Sequence, residues 1–97
     1  MIAHTRANSP RLADCELTPP TREPIDVARA ARQHAAYEAL LGELGCTVQR
    51  LPAAPDHPDG VFVEDTAVVL DEVAVITRPG AEARRGETPA MARALAA

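Results

Sequence analysis

The stretch PDGVFVED, residues 58–65, decides the fold together with TAVVLDEVAVITRPG, which follows it directly. An apolar run covers residues 61–70, and after two acidic residues a second, β-branched run covers residues 73–77. Two such runs with a two-residue connection predict a tight antiparallel hairpin. The first run nevertheless contains two adjacent carboxylates, Glu64 and Asp65, inside a segment that the pattern predicts to be an interior strand.

Alternation along a strand predicts that Glu64 and Asp65 point to opposite faces, both of which are otherwise apolar. Burying an uncompensated carboxylate costs on the order of several kcal/mol, so each must be protonated, hydrogen-bonded or met by a cation. With Asp56 and Asp59, four carboxylates lie within ten residues. Three partners remain open for this cluster: a cationic ligand, for which a planar guanidinium fits best, an arginine of the chain itself, or a divalent metal ion.

The segment RPGAEARRGE, residues 78–87, poses the opposite problem, because it carries three arginines just after the hairpin. These arginines could receive an anion such as a carboxylate. The alternative is a solvated polar loop in which Arg84 or Arg85 pairs with Glu82 or Glu87. A basic and an acidic cluster at the two ends of one hairpin would suit a zwitterionic, arginine-like molecule.

The remaining segments predict an α/β protein. Apolar residues recur at spacings of three and four before Gly45, with Pro24 in the first helical turn, and the last helix reaches the end of the chain without a stop signal. We therefore expect one domain, residues 1–97, that is cut short. The predicted elements are, in order, a strand at residues 1–6, a long exposed proline-rich loop at 7–24, a helix at 25–44, a strand at 46–52, the hairpin, a polar loop at 78–89 and a helix from Pro89.

Composition excludes several classes of protein. A chain of 97 residues with 46% hydrophobic residues can bury one modest core, and its net charge of −4 disfavours nucleic acids and anionic membranes as partners. No secretory signal and no run of about 18 apolar residues is present, so we expect a cytoplasmic protein. Cys15 and Cys46 lack the spacing of a metal site, and we expect reduced thiols rather than a disulfide.

The chain contains, in order, the segments CELT, IDVARAARQHAAYEALLGELG, LPAAPDHPDGVFVEDTAVV and AVITRPGAEARRGE. In this order and spacing they resemble the dimethylarginine dimethylaminohydrolase family, within the guanidino-group-modifying superfamily that includes arginine deiminase. The resemblance implies a five-bladed α/β propeller, or pentein, of which this chain would form about one ββαβ-type unit and the start of the next. It also implies hydrolysis of N-methylated arginine to citrulline and methylamine or dimethylamine, without a metal or organic cofactor.

The same resemblance implies which residues would bind the substrate. Asp65 would receive the guanidinium, with Asp59 and Glu64 beside it. Arg84 would bind the α-carboxylate, and Leu17 of the CELT segment would offer its main chain from a mobile lid loop.

The family's nucleophilic cysteine and proton-transferring histidine lie in a later part of a longer chain, and Cys15, Cys46 and His34 match neither position. His34 is expected to be a packed, hydrogen-bonded residue of the helix. We therefore predict the N-terminal part of an amidinohydrolase, with substrate-binding residues but no catalytic ones and a small-molecule partner. The alternative is a non-catalytic truncated fragment or a small guanidinium-binding or partner-binding module. Uncovered strand edges would make the chain self-associate.

Overall fold

The structure is a computed structural model that describes residues 1–15 and 24–96. Leu17, with its predicted role in a lid loop, lies outside the described residues. The predicted order of strand, helix, strand, hairpin and helix is confirmed. The elements are β1 (Ile2–Arg6), α1 (Val27–Glu43), β2 (Thr47–Leu51), β3 (Ala67–Val69), β4 (Ala74–Ile76) and α2 (Thr88–Ala96), with 3₁₀ turns at Leu12–Asp14, Val63–Asp65 and Glu82–Glu87.

Strands β1 and β2 form a parallel pair in which Ile2 lies opposite Thr47 and α1 is the crossover between them. A parallel pair needs such a connection because its two strands start at the same edge. Gly45 ends the helix with φ 96°, the left-handed conformation that the sequence predicted for it. Backbone hydrogen bonds from Gly45 and Cys46 back to the last helical turn close this end of α1.

The start of α1 differs from the prediction by two residues. Asp26, rather than Pro24, defines it, because the Asp26 carboxylate accepts a hydrogen bond of 3.0 Å from the backbone N–H of Arg29. Such a side-chain cap satisfies one of the donors that have no partner in the first helical turn. Pro24 therefore precedes the helix instead of lying inside it.

The predicted hairpin is confirmed as the antiparallel pair of β3 and β4, in which Val68 lies opposite Val75. A hydrogen bond of 2.8 Å from the backbone N–H of Leu70 to the carbonyl of Val73 closes its turn. The strand before this turn is much shorter than predicted. β3 has three residues, and Glu64 and Asp65 lie outside it in the 3₁₀ turn Val63–Asp65.

Local side-chain bonds explain why the strand does not extend back to residue 61. The hydroxyl of buried Thr66 donates to the carbonyl of Val63 at 2.6 Å, and the carbonyls of Asp59 and Phe62 accept from the guanidinium of Arg84. These bonds compete with a strand ladder and favour a turn. The prediction of two carboxylates inside a strand is thus wrong.

Residues 7–15, the first described part of the predicted loop, are also less exposed than predicted. Ser9, Leu12 and Cys15 are all buried. The hydroxyl of Ser9 donates to the carbonyl of Pro55 at 3.1 Å, which ties the loop to the proline-rich turn before the hairpin. This bond holds residues 7–15 against the rest of the chain, and Cys15 does not form a disulfide with Cys46.

The apolar core of the described residues is small and consists of Leu12, Cys15 and Met91. The hairpin contributes little to it, because Val68, Val69 and several neighbours are more than half exposed. The expectation that this strand is covered on both faces is therefore wrong for the described part of the chain. The hairpin and the parallel pair are two separate two-stranded sheets.

Candidate substrate-binding site

Arg84 organises the candidate site. It belongs to the 3₁₀ turn Glu82–Glu87, and only 11% of its side chain is exposed. Its Nη2 donates to the carbonyls of Asp59 at 3.2 Å and Phe62 at 3.1 Å. The alternative of a solvated polar loop is therefore wrong for Arg84, which turns inward to these carbonyls, but the pairing of Arg84 with Glu87 that this alternative included is present.

Glu87 holds the guanidinium of Arg84 from the other side. Nε donates to Oε2 of Glu87 at 3.0 Å and Nη2 donates to Oε1 at 2.9 Å, a bidentate pair in which the carboxylate is buried. The hydrogen bond with Glu87 is the largest influence that raises the pKa of Arg84; burial opposes it and the hydrogen bond with Asp65 adds to it. Arg84 therefore stays charged, and its Nε and Nη2 groups are fixed in position.

The carboxylate of Asp65 binds Nη1, the third nitrogen of the Arg84 guanidinium. Its Oδ2 accepts from Nη1 at 2.6 Å, although 55% of the Asp65 side chain is exposed. Both residues border a cavity of about 450 Å³ that the segment from Thr77 to Ala81 also lines. The Thr77 hydroxyl donates to the Asp65 carbonyl at 2.6 Å, so the backbone of Asp65 is held against β4 while its carboxylate faces solvent.

The other two predicted carboxylates lie in different surroundings. Asp59 is buried and borders a smaller cavity of about 240 Å³ with Arg84 and Glu87. Glu64 is exposed and borders a separate hollow of about 590 Å³, mainly apolar, beside Phe62. The structure therefore brings Asp59, Asp65 and Arg84 together and places Glu64 elsewhere. Of the three partners left open for the acidic cluster, an arginine of the chain itself is the one present at Asp65.

His57 and Gly86 support the turn that contains Arg84, and neither was predicted to belong to the site. A side-chain carbon added at Gly86 would lie 2.8 Å from Cε1 of His57, so the histidine ring packs directly on the glycine. The three-residue spacing of Arg84 and Glu87 was the sequence signal for their pair, but it did not reveal its burial. The contact between His57 and Gly86 left no signal, because 29 positions of sequence separate them.

The described residues contain no group of three or more side chains suited to hold a metal ion. Within the same residues, no helix is long and apolar enough to cross a membrane.

Comparison with known proteins identifies relatives of the whole chain, although no family model matches it. The N(G),N(G)-dimethylarginine dimethylaminohydrolase of Streptomyces coelicolor is 47% identical over 94 residues, which are 97% of this chain and 36% of that protein. The protein of the same name from Pseudomonas aeruginosa is 48% identical over 63 residues, which are 65% of this chain and 25% of that protein. The chain thus spans about a third or less of the length of these relatives.

Solved structures agree with the sequence relatives. The Pseudomonas aeruginosa enzyme, as a cysteine-to-serine mutant complexed with citrulline, has a TM-score of 0.87 at 38% identity, over 97% of this chain and 37% of that one. A dimethylarginine dimethylaminohydrolase with histidine replaced by glycine, in an adduct with S-methyl-L-thiocitrulline, has a TM-score of 0.88 at 38% identity, with the same coverage. The chain has the α/β fold of this class of hydrolases. It belongs to the dimethylarginine dimethylaminohydrolase family and corresponds to the N-terminal part of its members.

Proposed function

We propose that this chain is the N-terminal part of an amidinohydrolase that converts N-methylated arginine to citrulline and methylamine or dimethylamine. One observation carries the proposal: the buried guanidinium of Arg84, held by Glu87, presents Nη1 to the exposed carboxylate of Asp65 at the edge of a cavity. Once their mutual bond opens, the fixed cation and the carboxylate together offer the two charges that a small zwitterion needs. The citrulline and S-methyl-L-thiocitrulline bound by the structural relatives are molecules of that class.

Each predicted residue keeps a role in this proposal. Asp65 receives the substrate guanidinium, Arg84 binds the α-carboxylate, and Leu17 contributes its main chain. Asp59 and Glu64 are also assigned to the surroundings of the guanidinium, although Glu64 borders a different hollow from Asp65. Asp59 is joined to the site through its backbone carbonyl, which accepts from Arg84, whereas Glu64 borders the larger hollow.

The bond-breaking step belongs to residues outside this chain in our proposal. A cysteine thiolate attacks the guanidinium carbon, and a histidine transfers protons to the leaving amine and from the hydrolytic water. Residues 1–97 then supply recognition only, as one truncated domain that forms about one unit of a five-bladed propeller and the start of the next. Neither a metal nor an organic cofactor takes part, and the protein is cytoplasmic.

A second candidate function is that of a non-catalytic fragment or a small module that binds guanidinium groups or a partner. The exposed apolar hairpin favours this candidate, because Val68 and Val75 form a cross-strand pair that is more than half open to solvent. Self-association through this face is the simplest way to cover it. The DNA that follows the codon of Ala97 separates the two candidates: a continuing frame that encodes the histidine and the late cysteine supports the hydrolase, and an intergenic region supports the module.

The functional test replaces Asp65 with Asn and uses Asp71→Asn, in the exposed hairpin turn, as the matched control. In the 97-residue chain, NMR titration with N(G),N(G)-dimethyl-L-arginine should show weaker binding to Asp65→Asn than to the unmodified chain, and unchanged binding to Asp71→Asn. In a chain extended by the downstream frame, citrulline release should fall by roughly two to four powers of ten. The reason is that Asp65→Asn leaves the bound guanidinium of the substrate without its carboxylate, and removing one partner of a buried charge pair costs about 3–5 kcal/mol. Turnover near that of the unmodified chain would contradict the role of Asp65.

A further inference from the structure

The contact between Asp65 and Arg84 conflicts with simultaneous binding of one substrate by both residues. Oδ2 of Asp65 lies 2.6 Å from Nη1 of Arg84, whereas a chain of methylene groups separates the guanidinium of an arginine from its carboxylate. An extended arginine-like molecule cannot reach both groups while they hold each other. The pair has to open before the proposed substrate can bind.

The side chain that moves is that of Asp65. Arg84 is fixed because it donates two hydrogen bonds to the carboxylate of Glu87 and others to two backbone carbonyls, and its side chain is 11% exposed. Asp65 is 55% exposed, and its backbone is held by the Thr77 hydroxyl, so rotation of its short side chain changes no backbone contact. The pair is only part-buried, because 55% of the Asp65 side chain is exposed, so water can solvate the released carboxylate and keep the cost of opening on the order of 1 kcal/mol.

We propose that Asp65 is an internal competitor for the anion-binding site of Arg84. Its carboxylate occupies Nη1 of Arg84, and an external carboxylate binds there after the Asp65 side chain rotates away. The rotated carboxylate is then available to a cation, so one motion prepares both ends of a zwitterion site. This inference rests on the anion-binding role that the proposed function gives to Arg84.

The test uses butyrate, a carboxylate with no cationic group, and ¹⁵N NMR of the Arg84 Nε–H signal in the 97-residue chain. We expect Asp65→Asn and Asp65→Ser to bind butyrate about three to five times more tightly than the unmodified chain, because the internal anion is gone. Asp71→Asn removes the same charge in the hairpin turn and should leave the affinity unchanged. Equal affinity in all four proteins, or an equal gain in Asp71→Asn, would overturn the proposal.

A measurement on the unmodified chain guards against variants that do not fold. As butyrate is added, the ¹³C carboxyl signal of Asp65 must shift with the same midpoint as the Arg84 Nε signal. A shift of the Arg84 signal alone would also overturn the proposal. Because butyrate has no guanidinium, these results do not depend on whether Asp65 binds methylated arginine. If neither the unmodified chain nor any variant binds butyrate, the anion-binding role proposed for Arg84 is wrong.

Discussion

Glu87 and Arg84 form a buried bidentate ion pair within one 3₁₀ turn, with N–O distances of 2.9 and 3.0 Å. The pair makes Arg84 a fixed donor for the carbonyls of Asp59 and Phe62, which lie 25 and 22 residues earlier in the chain. The acidic segment before the hairpin is therefore shaped by a residue that follows the hairpin. Because of this arrangement, the same arginine can both stabilise the fold and face a cavity.

Replacing Glu87 with Ala should destabilise the chain by about 3–5 kcal/mol, since it leaves a buried guanidinium without its main partner. The measurement is urea unfolding followed by circular dichroism. Glu82→Ala, in the same turn but exposed, is the matched control and should change the free energy of unfolding by less than about 0.5 kcal/mol. A loss for Glu87→Ala as small as that of the control would show that the pair does not support the fold.

Gly86→Ala should destabilise the chain by about 1–3 kcal/mol, because the new methyl group would meet the His57 ring at 2.8 Å. The double variant with His57→Ala should recover most of that loss, which a double-mutant cycle measures as a coupling energy. Gly80→Ala is the control, since nothing lies within 4 Å of a side-chain carbon at that position. Additive effects of the two substitutions would disprove direct packing.

Glu38 connects α1 to both strands of the parallel pair, and Glu38→Gln should weaken that attachment. Its Oε2 accepts from the Thr5 hydroxyl at 3.0 Å, and its Oε1 lies 3.2 Å from Nε2 of His34 and 3.3 Å from Nε of Arg50. Loss of the charge should cost about 1–3 kcal/mol, because 13% of the Glu38 side chain is exposed. Hydrogen exchange of the α1 amides should accelerate in this variant, but not in Glu43→Gln at the exposed end of the helix.

The exposed face of the hairpin should make the 97-residue chain self-associate at micromolar concentrations, as analytical ultracentrifugation can measure. Val75→Lys places a charge on this face and should shift the equilibrium towards the monomer. Gln33→Lys adds the same charge to the exposed side of α1 and should leave association unchanged. A monodisperse unmodified monomer with a sharp cooperative melt would refute the prediction.

The elements that depend on local pattern were predictable. The three- and four-residue spacing before Gly45 predicted the helix, and an apolar and a β-branched run with a two-residue connection predicted the hairpin, because both signals are contained within short windows. The first residue of α1 and the length of β3 were predicted wrongly. Each was decided by a competing hydrogen bond: Asp26 accepts one in the first case, and Thr66 and Arg84 donate in the second.

The sequence by itself determined the order of the elements, the family and the residues that could carry opposite charges near the hairpin. Only the tertiary structure decided which of these charges meet. It paired Asp65 with Arg84 across 19 residues, buried Glu87 as the support of that arginine, and separated Glu64 from its neighbour. The physical reason is that a buried guanidinium must satisfy all its donors, and the acceptors within reach are set by how distant segments pack.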